Sequence, residues 1–381
     1  MKKSLLALGV LGAFAGAAHA QSSVTLYGII DAGLTYNSKE GTLGGNTASK
    51  NFKFSNGNLQ GSRWGLKGAE DLGGGLKAIF VLENGFNLGS GTLGQNGRMF
   101  GRQAYVGLSS ATAGTVTIGR QYDSVVDFVG PFASGSQWGA NMGAHPFDND
   151  NLNNSFRINN SVKYTSVNYN GLSAGALYGF SNQSNTGNGT GFANNRAWSV
   201  GLGYANGPLS LGAGYLYLSS PGSSNGSGVL TTADANAVMA FNGNATDKAW
   251  IASAGGSYAF GPATIGLVYS HSAYNYISGG SWKFDNVEAN AKYMLTPALQ
   301  LGLSYTYTWS TLNQAAGSLS PKYHQVNAGV DYFLSKRTDT YFVVNWQHAN
   351  NDAPGGAALA NQPFSTGTNQ VAVTAGIRHK F

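Results

Sequence analysis

The feature that most constrains this chain is an alternation of period two that returns from one end to the other. In "LQLGLSYTYTWS", Leu299, Leu301, Leu303, Tyr305, Tyr307 and Trp309 form one set, and Gln300, Gly302, Ser304, Thr306, Thr308 and Ser310 form the other. Successive side chains of a strand point to opposite faces, so this segment has one apolar, aromatic-tipped face and one small polar face. Near the start, Val24, Leu26, Gly28, Ile30, Ala32 and Leu34 alternate with Thr25, Tyr27, Ile29, Asp31 and Gly33. Leu209, Leu211, Ala213, Tyr215 and Tyr217 oppose Ser210, Gly212, Gly214 and Leu216; Val326, Ala328, Val330 and Tyr332 oppose Gln325, Asn327, Gly329 and Asp331. The end sets Val371, Val373, Ala375, Ile377 and Phe381 against Ala372, Thr374, Gly376, Arg378 and Lys380. Alternating segments of about 10 residues with aromatics near their ends are the pattern of a transmembrane β-barrel.

The connections sort by length. Short ones fall at 70–75, 110–114, 169–171, 205–208, 260–262, 295–297 and 334–339, and long polar ones near 38–57, 86–98, 121–158, 181–194, 219–246, 272–282, 311–322 and 349–368. Seven short turns alternating with eight long loops give fifteen connections, hence a sixteen-stranded antiparallel barrel with its turns on one rim and its loops on the other. A soluble all-β protein has no reason to sort its loops this way. The segment 121–158 is too long for an ordinary connection.

The ends and the composition agree. "MKKSLLALGVLGAFAGAAHA" has a charged start at Lys2 and Lys3, an apolar stretch from Leu5 to Ala17 and an Ala18-His19-Ala20 cleavage site, so residues 1–20 read as a secretory signal peptide. Residues 21–381 then form one domain, an exported barrel beginning at Gln21. Loss of Lys2 and Lys3 leaves 20 basic residues against 16 acidic ones, a net charge of +4 with no basic run that would suit nucleic acid. Cysteine is absent, so no disulfide holds the exported chain. Charged residues make up 10% of the sequence, far below the roughly 25% of soluble domains. No mature segment has the ~18 consecutive apolar residues of a transmembrane helix. A closed barrel needs none, because closure satisfies every backbone group.

Barrel size settles which face points inward. Sixteen strands enclose a lumen too wide for side chains to fill. The apolar faces are therefore expected to meet lipid, with Leu299, Leu301 and Leu303 outside and Tyr307 and Trp309 near the outer interface. Gln300, Ser304, Thr306 and Thr308 are expected to face water.

Several stretches at these positions resemble the trimeric general porins of Gram-negative bacteria, in the branch typical of betaproteobacteria. They are "SSVTLYGIIDAGL", "GSRWGLKGAEDLGGGLKAIFVLE", "FGRQAYVGL", "GTVTIGRQYD", "RINNSVKY", "FLSKRTDTY" and the terminal "GIRHKF", which together span the mature chain in order. The resemblance implies a homotrimer in the outer membrane, in contact with its lipid, and a third long loop, 121–158, folded back into each lumen. It also implies that Phe381 belongs to the signal read by the machinery that inserts barrels.

Channel selectivity comes from pore radius and from charged side chains lining it. Ionisable residues inside otherwise apolar strands belong on the water side. Arg63, Arg102 and Arg157 fit, at positions where the resemblance places a basic cluster. Lys67 shares the parity of Arg63, and Lys163 lies opposite Tyr164 in parity. Asp31, Glu83 and Asp127 are the acids expected across from them, giving a transverse field that favours anions if the basic side dominates. Some of these charges could instead brace the loop to the wall. Arg120 shares parity with Val116 and Ile118, which would put it toward lipid unless it lies beyond the hydrocarbon or after a bulge. Trp198, Trp250, Trp309, Tyr305 and Trp346 read as interfacial girdles.

Enzyme readings find no support. The histidines at 145, 271, 324, 348 and 379 lack metal-ligand spacing, and "DNDN" at 148–151 lacks the glycine and distal glutamate of a calcium loop. No cofactor or metal is expected. The sequence therefore predicts a passive channel for small hydrophilic solutes and ions. The alternatives are a substrate-specific channel, or a barrel that acts mainly as an adhesin or phage receptor through its long loops.

Overall fold

The computed structural model describes residues 23–183, 194–221, 228–231 and 234–381, so the expected signal peptide lies outside the described residues. The alternating segments pair as eighteen strands among those residues. The first nine are β1 (Ser23–Gly41), β2 (Ala48–Asn56), β3 (Arg63–Gly73), β4 (Leu76–Gly85), β5 (Gln103–Ser110), β6 (Gly114–Gln121), β7 (Ile158–Thr165), β8 (Leu172–Gly179) and β9 (Arg196–Asn206). The rest are β10 (Leu209–Ser219), β11 (Thr246–Phe260), β12 (Ala263–Tyr276), β13 (Ser281–Thr296), β14 (Leu299–Gln314), β15 (Gly317–Leu319), β16 (Lys322–Phe333), β17 (Thr338–Ala349) and β18 (Asn369–Lys380).

Every pairing is antiparallel, and two staves are interrupted. β2 pairs with the later part of β1 and β3 with its first seven residues, so the two are one stave broken at 57–62. β15 and β16 likewise both lie against β14. Eighteen strands thus make the sixteen staves that the loop pattern predicts. β1 closes on β18, from Ile29 opposite Lys380 to Asn37 opposite Ala372. The last residue completes the seam, where the Phe381 and Gly28 backbones exchange hydrogen bonds of 3.0 and 3.1 Å. Closure leaves no sheet edge to be satisfied by lipid.

The apolar faces point outward. On β14, Leu303 is 59% and Tyr305 45% exposed, while Ser304 is 2% and Thr306 0%. Trp198 and Trp309 also lie on the exposed face, and the rings of Tyr307 and Trp309 stack at 5.6 Å. Three connections expected to be long are short hairpins. β1 and β2 run to within six residues of each other, and β14 continues to Gln314. β12 and β13 are joined across Gly279 and Gly280, both at φ +86°. Their polarity marks strands that have risen out of hydrocarbon, where pairing continues but an apolar face is no longer required.

The segment 122–157 runs along the inward face of the closed sheet. Its Ser124 N–H donates to Ser199 Oγ on β9 at 3.0 Å, and its Ser134 N–H to Glu288 Oε1 on β13 at 2.7 Å. Its Ala144 and Gly139 carbonyls accept from Gln325 on β16 and Asn345 on β17 at 3.0 and 2.9 Å. Inward glycines make room for it. A Cβ at Gly212 would stand 2.0 Å from the Phe128 carbonyl oxygen, and one at Gly302 would stand 2.3 Å from the Trp138 ring. Two further connections also turn inward. Val229, Leu230, Val238, Met239 and Phe241, between β10 and β11, join a core with Tyr274, Tyr276, Trp282, Phe284 and Leu312. Leu359, between β17 and β18, packs with Met142 and Ala372.

Candidate functional site: a basic cavity inside the barrel

Arg63, Arg102 and Arg157 meet on one wall because each sits where a strand begins: Arg63 opens β3, and Arg102 and Arg157 immediately precede β5 and β7. Arg63 donates through Nε to the Gly61 carbonyl at 2.9 Å. Arg102 donates through Nε to Glu83 Oε1 at 2.8 Å and through a terminal nitrogen to the Tyr122 hydroxyl at 2.9 Å. Arg157 stacks over the Tyr122 ring at 5.3 Å and donates to Asn154 Oδ1 at 2.7 Å. Burial resists ionisation of the Tyr122 phenol, but Arg102 and Arg157 more than offset it and hold the group below its usual value. The three arginines line one cavity of about 590 Å³.

The other expected lining residues are elsewhere. Asp31 is fully buried and serves as the keystone of the break between β2 and β3. It accepts from the Leu59 and Gln60 amides, both at 2.8 Å, and from the Tyr341 hydroxyl at 2.5 Å. That break sets where Arg63 emerges, so Asp31 acts on the cavity through the backbone. Glu83 stands on the basic wall and not across from it, with Arg63 at 3.9 Å and the Tyr27 hydroxyl at 3.1 Å. Asp127 and Lys163 pair with each other at 2.5 Å, and Lys163 also reaches the Tyr122 carbonyl at 3.1 Å; they brace the loop. Lys67 lies over the Tyr27 ring at 5.4 Å. It shares a face with Arg63, but four residues along a strand is a displacement of roughly 13 Å.

Asp31, Glu83 and Asp127 therefore do not stand across from the arginines. Among the described residues, the carboxylate that does line the cavity is Asp234, from the connection between β10 and β11. It is clamped by Arg98 and, at 3.1 Å, by Arg120. Arg120 lies within a register shift between Gly119 and Gln121, a bulge being one of the two placements that its parity left open.

On the far side, His145 fastens the loop to the wall. Its Nδ1 is 2.6 Å from Asp150 and its Nε2 is 3.3 Å from Glu288, all three fully or almost fully buried. Burial opposes its charge, but Asp150 and Glu288 prevail and push the imidazole up to about 10. Glu288 also accepts from the Ser134 amide and hydroxyl and from Asn290. Asp123 caps the short helix Ser124–Phe128. Burial and the nearby Asp127 push its carboxyl up to about 6 against the Val125 and Val126 amides. No group of three metal-ligating side chains occurs among the described residues.

A closed sixteen-stave sheet, apolar outside and enclosing a charged cavity, defines an outer-membrane channel. The chain belongs to the Gram-negative porin family, whose model matches residues 7–352. It is 34% identical to an outer membrane porin protein of Bordetella pertussis and 32% identical to outer membrane porin protein 32 of Delftia acidovorans, each over the whole of both chains. The solved anion-selective porin from Comamonas acidovorans superposes with a TM-score of 0.72 at 26% identity, over 95% of this chain and 100% of that one. The trimer form of an outer membrane protein of Vibrio cholerae shares the fold, with a TM-score of 0.65 at 17% identity, over 94% of this chain and 99% of that one. The protein is thus an outer-membrane diffusion channel, not an enzyme.

Proposed function

We propose that the channel passes small hydrophilic solutes and ions with a mild preference for anions. Segment 121–158 would be its constriction. The observation that carries this reading is the wall of Arg63, Arg102 and Arg157, with Glu83 beside it and the lining carboxylate of Asp234 already paired with Arg98 and Arg120. Such a wall raises the local concentration of anions, and a low-dielectric surround strengthens the effect. The anion selectivity of the Comamonas porin supports the same reading. The working unit is a homotrimer in outer-membrane lipid, in line with the trimer form of the Vibrio protein. Residues 1–20 direct export and are removed. Phe381, whose ring stands over Gly28 at the seam, is the contact presented to the barrel-insertion machinery.

Planar-bilayer recording tests the reading. The expected result is stepwise, near-ohmic conductance in triplets and an anion-selective reversal potential in a salt gradient. Replacing Arg63, Arg102 and Arg157 together by glutamine is expected to move that potential toward zero or past it. A cation-selective potential in the wild type overturns the anion preference, and single steps overturn the trimer.

A further inference from the structure

The cavity that holds the three arginines has a second pole. Phe147 and Phe364, each partly exposed, also line it. Phe147 has φ +62°, a left-handed backbone rarely adopted by a bulky side chain. The surroundings hold it there. Its ring lies 5.6 Å from Trp282, 6.0 Å from Tyr323 and 6.1 Å from Phe364. The next residue, Asp148, accepts from the Asn153 and Ser155 amides at 2.9 and 3.0 Å. A strained backbone that presents an aromatic ring to a channel cavity, fixed by three ring contacts and two hydrogen bonds at the next residue, is a candidate for a ligand-facing role.

The basic pole has hydrogen-bonding capacity to spare. The terminal nitrogens of Arg63, whose side chain is 18% exposed, make no hydrogen bond among the described residues. Asp234, the carboxylate at the cavity, is already shared between Arg98 and Arg120. A small inorganic anion would use the arginines and leave the rings idle. A polyanion would have to desolvate charge against the rings. A planar apolar body bearing a single anionic group uses both poles, with the anion on the guanidinium fork and the ring against the phenylalanine pair.

We propose that this cavity retains aryl monocarboxylates, holding the carboxylate at Arg63, Arg102 and Arg157 and the ring at Phe147 and Phe364. The inference rests on the anion-favouring reading above and names a solute class for the same site.

The test is current block in bilayers containing the native trimer, with sodium benzoate, sodium acetate and benzyl alcohol added separately to a chloride electrolyte. Benzoate is expected to half-block at a concentration about three- to tenfold below acetate, the factor that one aromatic contact supplies, and below benzyl alcohol as well. Phe364→Ala should collapse the ratio of benzoate to acetate toward one, and Phe147→Leu should lower it. The solute comparison needs neither variant, so a failure of either to assemble leaves the test intact. Benzoate no better than acetate, in a channel whose reversal potential is anion-selective, overturns the proposal and spares the anion reading. Equal block by benzyl alcohol also overturns it, because the charge would then be irrelevant. A cation-selective reversal potential removes the basis for both.

Discussion

The lower and upper halves of β13 follow opposite rules. Below Asn286 the strand obeys the membrane pattern, with Val287, Ala289, Ala291 and Tyr293 outside and Glu288, Asn290 and Lys292 inside. Above it, Trp282 and Phe284 point inward and are buried, while Lys283 and Asp285 point outward. The parity is unbroken; the solvents have changed places. Low on the barrel, lipid lies outside and water inside. Near the outer rim, water and headgroups lie outside, and the inward side chains meet the loop residues Phe147 and Phe241. A barrel strand can thus carry a membrane protein's pattern and a soluble protein's pattern in sequence.

The contrast can be broken at its joint. Glu288→Ala strips the acceptor from Ser134 and Asn290 and leaves His145 charged with Asp150 alone, a loss of about 3–5 kcal/mol for a broken buried pair. A much lower melting temperature in detergent and a noisy open-channel current are expected; a quiet current would show that the loop is held elsewhere. Trp282→Ala tests the upper half by cavity creation, at about 3 kcal/mol. Equilibrium unfolding in urea should register it, and no change would deny that the inward aromatics form a core.

The latch also has a pH window. His145 is raised well above its usual value of 6.5, so its contribution is complete below that value and is lost progressively as pH rises from there through about 10. Burial favours the neutral Asp150 carboxyl, but His145 outweighs it and holds the group below its usual value. The contribution of Asp150 is therefore present above the ordinary carboxylate range and is lost as pH falls through that lowered value. Melting temperature measured against pH should fall on the alkaline side, and His145→Gln should flatten that limb; an identical fall in the variant would place its cause outside the latch. The smallest effect belongs to Asp285, which pairs at 2.8 Å with the half-exposed His271 on the outer face. Asp285→Asn should change stability by no more than about 0.5 kcal/mol. A larger loss would mean that the upper outer face is not wet.

Much of this architecture was legible in the sequence, for physical reasons. A period of two needs only local residues, so the sixteen staves, their outward face and the inward parity of Arg63 could be read directly. That Arg120 lies beyond the hydrocarbon or at a bulge could be inferred because the alternative was a charge in hydrocarbon, and it sits at a register shift. What could not be read depends on stagger between staves or on contacts distant in the chain. The partner of Asp31 is Tyr341, 310 residues away, and parity cannot tell that Glu83 stands beside Arg102 instead of across from it. The inward loops did leave a trace. "VL" at 229–230, "AVMAF" at 237–241 and "AALA" at 357–360 are apolar runs inside stretches counted as polar. An apolar run in a loop outside the membrane has to be covered by something, and here the barrel interior covers it.

The seam between β1 and β18 differs from every other boundary in the sheet. Elsewhere, neighbouring staves follow one another along the chain, joined by a connection of fixed length. At the seam no connection exists, so nothing local dictates which residue meets which. A slip of one residue would exchange the two faces of a whole stave. The terminal ring supplies the missing gauge, since Phe381 Cζ would stand 2.4 Å from any Cβ at residue 28, and glycine is what lets the ring seat there. Gly28 is in effect a keyhole cut for the last residue, and the circumference of the barrel is indexed by whether that key fits.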